Sequence, residues 1–221
     1  MSQVTKTPLR RHRRPSSGRE GRGAYPHRVR IFLAGATGVI GSRLVPLLVA
    51  AGHDVTGMTR STDNVAGLRG AGAEPVVCDV FDAPALEQAV VRARPDVLMH
   101  QLTDLPDDPA RLEEYAPGHN RIRREGTRNL ISAATLAGAG RFIAQSVAWQ
   151  IPGDGGAAVD DLERMVLAYP GVVIRYGQFY GPGTYHLSEP PPPPRVRIDQ
   201  AAGRTLDALR VDRGVITVVE P

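Results

Sequence analysis

Lysine is nearly missing from this chain. Lys6 is the only one in 221 residues, so an active site farther along must work without an ammonium group. Cysteine is as scarce: Cys78 stands alone, and no internal disulfide can form. A reducing, cytosolic home fits that usage. A membrane helix needs ~20 apolar residues, and the best stretch, LVPLLVAAG, is short and holds a proline. There is no internal repeat and no G-x-S-x-G elbow of a hydrolase. The acidic pairs Asp107–Asp108, Glu113–Glu114 and Asp160–Asp161 diverge around a helix and have no His/Cys cluster beside them. No metal site is expected.

Charge is unevenly spread. The formal net charge is +4, yet residues 1–28 hold Lys6 and seven arginines against Glu20, a local +7. The remainder carries 19 basic and 22 acidic residues, or −3. Rich in Arg, Gly, Ser and Pro, residues 1–28 read as a disordered basic tail that cannot bury enough apolar surface to order itself. Its arginines suit weak contact with nucleic acid or an anionic surface. No specific nucleic-acid site is expected, and no apolar stretch follows the twin arginines to make an export signal.

What is present is a regular alternation from Val29 onward. VRIFLAG, DVTGMTR, EPVVCDV, DVLMHQL, RFIAQSV, GVVIRYG and GVITVVE read as strands. Helices are expected between them: from Val39 to His53 with an awkward Pro46, over VAGLRGAGA, after Asp82, from Asn120 to Ala137, over DDLERMVLAY, and from Asp199 to Arg210. Alternating strands and helices predict an α/β fold, a doubly wound parallel sheet of Rossmann type over residues 29–221. Such sheets place ligands beyond the carboxyl ends of their strands, where strand order reverses.

The turn GATGVIG follows the first strand and opens an apolar helix. Gly35 suits a tight turn, Gly38 the close approach of a diphosphate to bare backbone, and Gly41 packing of helix on strand. With GHDV, CDV, GTRNLISAA, Ser146 and RYGQFYGPG in order behind it, the chain resembles the extended short-chain dehydrogenase/reductase superfamily, nearest to the NAD-dependent epimerase/dehydratase family. The likeness runs from about Val29 to Tyr185. It implies that Gly35, Thr37, Gly38, Val39, Ile40 and Gly41 hold the diphosphate and that Asp79 and Val80 meet the adenine. Gln101 would lie along the ribose and nicotinamide, and Ser146 near a substrate carbonyl. Tyr176, Gln178 and Tyr180 would border the nicotinamide. The helix from Asn120 is the surface on which relatives pair into homodimers.

The second strand ends in Thr59, Arg60 and Ser61, where NAD-binding folds usually carry a carboxylate. A guanidinium there favours a 2′-phosphate, so NADP(H) is expected over NAD(H). Arg60 also reads as a plain solvated loop residue.

Most of the superfamily places a Tyr-x-x-x-Lys pair on one helix for proton transfer. If Glu163 marks the register, the two positions are Gly155 and Val159, and the lone lysine at position 6 rules out a displaced pair. The run SEPPPPPR predicts a stiff polyproline strut of about 15 Å, and residues 185–221 a curtailed substrate lobe. Ser146, Tyr180 and Tyr176 remain the catalytic candidates, the serine to polarise a carbonyl and a tyrosine to donate a proton. His186 is a further proton shuttle, and His100 reads as a core histidine. The resemblance implies an oxidoreductase or epimerase/dehydratase-like enzyme with an atypical site for a small molecule. The alternative is a non-catalytic nucleotide-binding sensor or partner-binding module.

Overall fold

Ile31 and Leu33 point to one side of the first strand, Phe32 and Ala34 to the other, and all four are buried. A strand buried on both faces requires helices above and below it. A computed structural model describes residues 28–221, and the tail expected over residues 1–28 lies outside the described residues except for Arg28. In chain order the strands are β1 (Arg30–Ala34), β2 (Asp54–Thr59), β3 (Glu74–Val77), β4 (Val97–His100), β5 (Arg141–Val147), β6 (Gly171–Tyr176), β7 (Gln178–Tyr180), β8 (Arg195–Arg197) and β9 (Gly214–Val218). Seven of them form one sheet in the order β3-β2-β1-β4-β5-β6-β9, with every pairing parallel. The order reverses between β1 and β4. This is the doubly wound Rossmann-like architecture expected from the sequence.

The helices are α1 (Gly41–Ala50), α2 (Val65–Gly70), α3 (Ala83–Ala93), α4 (Leu112–Arg121), α5 (Thr127–Leu136), α6 (Gly153–Ala168) and α7 (Ile198–Thr205). Leu44 of α1 and Ala201 of α7 join the core on one face of the sheet. Leu86 of α3, Leu130 of α5 and Leu162 of α6 join the other. The buried stripe of α1 is Leu44, Val45 and Leu48. Val39 and Leu47 are exposed. Pro46 sits on the solvent side, where its missing N–H does least harm. Asp82 caps α3 as expected, its Oδ1 accepting from the Ala85 amide at 3.1 Å.

Three expectations are corrected. Helix begins at Leu112 instead of Asn120, and a π-turn (Ile122–Gly126) joins α4 to α5. Helix α6 begins at Gly153, seven residues before the acidic pair, because the glycines that weaken its propensity let it pack tightly on Ile151. The prolines do not form a straight strut: the chain bends over residues 192–194, and β8 turns back to pair with β7. Residues 181–194 between those two short strands contain only a single bridge, from His186 to Tyr180.

Candidate functional site

The turn after β1 is shaped by its glycines. Gly35 has φ +89°, and a Cβ there would lie 2.6 Å from the Gln101 carbonyl oxygen. A Cβ on Gly41 would lie 2.0 Å from the Gly35 carbonyl oxygen. These two positions build the bend. Gly38 differs: an added Cβ would meet only the Gly35 carbonyl oxygen, at 3.5 Å. Thr37, Gly38 and Val39 are exposed, and the bend is held by Gly38 N donating to Gly35 O at 3.1 Å and Ser42 N to Gly38 O at 2.9 Å. Helix α1 has Ile40 at its N-cap, with no side-chain cap and no acidic residue in its first turn. Its positive end therefore has neither a side-chain cap nor a counter-charge from its own first turn.

Beside the turn, Arg60 follows β2 and is 60% exposed, 3.7 Å from Asp104. Asp63 does not compete for that place, since its carboxylate accepts from Ser61 Oγ and its amide donates to the same oxygen. Asp79 bends back to accept from the Phe81 amide at 2.9 Å. Val80 is buried in the core, so only its backbone can border a ligand. Its carbonyl accepts from Asn129 Nδ2 at 2.9 Å. Gln101, just past β4, is 3% exposed. Its amide atoms make no hydrogen bond of normal geometry, although the Tyr176 hydroxyl is close enough to interact with it.

The three hydroxyl candidates for proton chemistry are all engaged. Ser146 Oγ donates to Glu163 Oε1 at 2.6 Å, and Arg175 grips the same carboxylate through Nε at 2.9 Å and Nη2 at 2.5 Å. A serine whose only proton lies on a carboxylate has none to offer a carbonyl. Tyr176 is sealed in the core, 2% exposed, with its hydroxyl 2.6 Å from Thr205 Oγ1. Burial pushes that phenol well above its usual range. The sequence reading of Tyr176 as a proton donor is thereby corrected. Tyr180 donates to Glu220 Oε1 at 2.5 Å, and that hydrogen bond raises its pKa. Gln178 Nε2 donates to the Pro192 carbonyl at 3.2 Å, so its side chain serves the proline segment. His100 is fully buried against Thr127, as a core histidine should be, and burial lowers its pKa to about 4.

The place of the missing tyrosine is not vacant. A Cβ on Gly155 would lie 2.6 Å from Ile151 Cγ2, and one on Gly156 would lie 2.1 Å from the Ile151 carbonyl oxygen. The short link from β5 to α6 folds Ile151 onto the helix's first turn, and any larger residue there would displace it. Sequence reasoning missed three further residues: Glu163 as the partner of Ser146, Gln145 bonding the Leu102 carbonyl, and Arg123. The first was legible as a spacing marker but not as a contact.

A doubly wound sheet with a bare glycine turn at its switch point defines a dinucleotide-binding protein of the extended short-chain dehydrogenase/reductase type. Residues 35–163 match the family described as NAD(P)H-binding, and the chain belongs to that family. A 3-diazoavenalumate denitrifying reductase from Streptomyces sp. is 40% identical, over 71% of this chain and 58% of that protein. A 3-beta-hydroxysteroid dehydrogenase from Mycolicibacterium neoaurum is 32% identical over 52% of this chain and 31% of its own length. The chain thus spans 58% or less of these curated relatives. Its fold is similar to WbmH of Bordetella bronchiseptica in complex with NAD+, with TM-score 0.68, 18% identity, and coverage of 87% of this chain and 75% of that one. It is also similar to a UDP-glucose 4-epimerase from Thermotoga maritima, with TM-score 0.69, 16% identity, and coverage of 86% and 76%. At those identities the likeness bears on the fold. Two observations fit a dinucleotide: the cradle at Gly38, which a Cβ could enter without clashing with protein, and the unsatisfied amide of Gln101 at the end of β4.

Proposed function

We propose that the chain is an NADPH-dependent reductase of a small electrophilic molecule that works without a tyrosine–lysine pair. The observation that carries this reading is the open turn at Gly38 ahead of an uncapped helix. The turn from Gly35 to Gly41 would hold the diphosphate, with Arg60 facing a 2′-phosphate and the backbone at Asp79 and Val80 bordering the adenine. Arg60 supports NADPH because its acidic neighbours Asp63 and Asp104 are turned to Ser61 and to Arg60 itself.

The chain's own residues define which reduction suits it. Ser146, Tyr176 and Tyr180 hold their protons on structural partners, so a carbonyl that becomes an alkoxide would find no ready acid. A reduced nicotinamide, when bound, supplies a hydride, and where that hydride displaces dinitrogen from an aryl diazonium carbon the products are the arene, N2 and the oxidised coenzyme, with no proton drawn from the protein. The Streptomyces relative is by its name a reductase of a diazo compound that removes nitrogen, and that supports the same chemistry here. Turnover of NADPH with an aryl diazonium salt, against a panel of aldehydes and ketones, tests the reading. Consumption of NADPH with one equivalent of N2 released is expected. Turnover confined to carbonyls, blocked by Ser146→Ala, would refute it.

The engaged hydroxyls also favour a second reading, a nucleotide-binding module without catalysis. Saturable NADPH binding with no turnover on either panel would decide for it.

A further inference from the structure

Two adjacent arginines on the same helical stretch are treated differently. Arg124 reaches Asp154 at 2.6 Å and Asp161 at 2.7 Å. Arg123, one residue earlier in the π-turn, has no carboxylate within 4 Å among the described residues. Its two hydrogen bonds come from Nη1 alone and are long: 3.3 Å to Asn120 Oδ1 and 3.4 Å to the Gly155 carbonyl. The titratable groups that face it are His119 and, beyond, His100. Burial, joined for His119 by the Arg123 charge, lowers their pKa to about 3 and about 4, so both are neutral at pH 7 and supply no counter-charge. Burial also lowers the Arg123 pKa, to about 10. A partly desolvated guanidinium with no anion is costly, and its planar fork matches a carboxylate.

Place adds to charge. Gly155 lies in the first turn of α6, on the spot where the superfamily's tyrosine would stand. The chain therefore directs a cation to the region its missing lysine leaves uncharged. A π-turn in a helix often marks a functional position. The loops at this end of the sheet expose large apolar side chains: Leu105 after β4, Trp149 after β5, and Tyr185 and Leu187 after β7. The Tyr185 hydroxyl bonds to the Pro106 carbonyl, which joins the last of these loops to the first. A coenzyme phosphate is the poorer match, because the glycine turn follows β1, two strands along the sheet from β5.

We propose that Arg123 anchors the carboxylate of an apolar small-molecule substrate at the C-terminal edge of β4 and β5. The proposal rests on the reading of this edge as the reductase's substrate side. Calorimetric titration of the full chain with trans-cinnamate and with neutral cinnamamide, with and without NADP+, tests it. The acid is expected to bind at least ~10-fold tighter than the amide, about 1.4 kcal/mol. Arg123→Met should abolish that preference while NADPH affinity and melting temperature hold, and Arg123→Lys should keep part of it. No preference for the acid, or one that survives in Arg123→Met, overturns the proposal. So does a fall in melting temperature with the preference unchanged, which marks a structural residue. An Arg123-dependent preference in a chain that fails to bind NADPH would keep the carboxylate site and sink the reductase reading instead.

Discussion

Beside β1 the backbone is bare, the helix behind it uncapped, and an added methyl at Gly38 would touch almost nothing. Beyond β5 and β6 every candidate hydroxyl is already held: Ser146 by Glu163, Tyr176 by Thr205, Tyr180 by Glu220. Both regions lie along the same edge of one sheet, yet one is left open for a ligand and the other is closed on itself. Binding and proton transfer have thus come apart in this chain. The half proposed to hold a coenzyme is left open, while in the half that would move protons the side chains are tied to structural partners.

The largest effect should come from the open half. Gly38→Val is expected to weaken NADPH binding more than ~100-fold, about 2.7 kcal/mol, with an unchanged melting temperature, because its methyls meet ligand and not protein. Gly41→Ala is the contrast. Its Cβ falls 2.0 Å from a backbone oxygen, so the fold itself should lose about 1–3 kcal/mol by denaturant titration. Equal loss of stability in the two variants would erase the distinction between the building glycines and the receiving one.

In the closed half, Glu163→Gln should cost roughly 1–3 kcal/mol at pH 7, since it strips Arg175 and Ser146 of a charged partner. Desolvation alone would raise the Glu163 pKa, but the hydrogen bonds from Arg175 and Ser146 and the Arg175 charge hold it below the usual value. A depressed carboxylate contributes stability above its unfolded pKa and loses it as pH falls through the folded one. The variant should therefore show a flatter acid limb below pH ~4.5. His100 acts over a higher window. Its folded pKa of about 4 lies below the ordinary 6.5, so the unfolded chain takes the proton first and stability drops as pH falls between those values. Melting curves from pH 7 down to about pH 2 check both.

Smaller effects come from the borders. Arg60→Asp should shift the NADPH/NADH affinity ratio about tenfold toward NADH, a charge reversal at an exposed position worth about 1.4 kcal/mol. An unchanged ratio would remove Arg60 from the coenzyme site. Ser146→Ala should cost only about 1 kcal/mol of stability and leave NADPH affinity as it was.

Much of this was legible in the sequence. Runs such as IFLA and VVI are apolar at every position, which a doubly covered parallel sheet explains. The turn GATGVIG announces itself because a bend with a φ of +89° at Gly35 has few residue choices. What stayed hidden depends on contacts between distant segments. Gly153–Ala157 has poor helix propensity, and only its packing on Ile151 makes it helical. Tyr176 alternates correctly for either face of a strand, and nothing local says that Thr205 will cover it. Arg123 looks like any solvated arginine in RIRREG until its neighbour is seen to take both nearby aspartates.

The central claim is that the turn from Gly35 to Gly41 holds a dinucleotide's diphosphate, and calorimetric titration of the full chain with NADPH tests it most directly. Saturable one-to-one binding that is lost in Gly38→Val is the expected result. An absence of saturable binding at millimolar NADPH, or binding that Gly38→Val leaves intact, would contradict it.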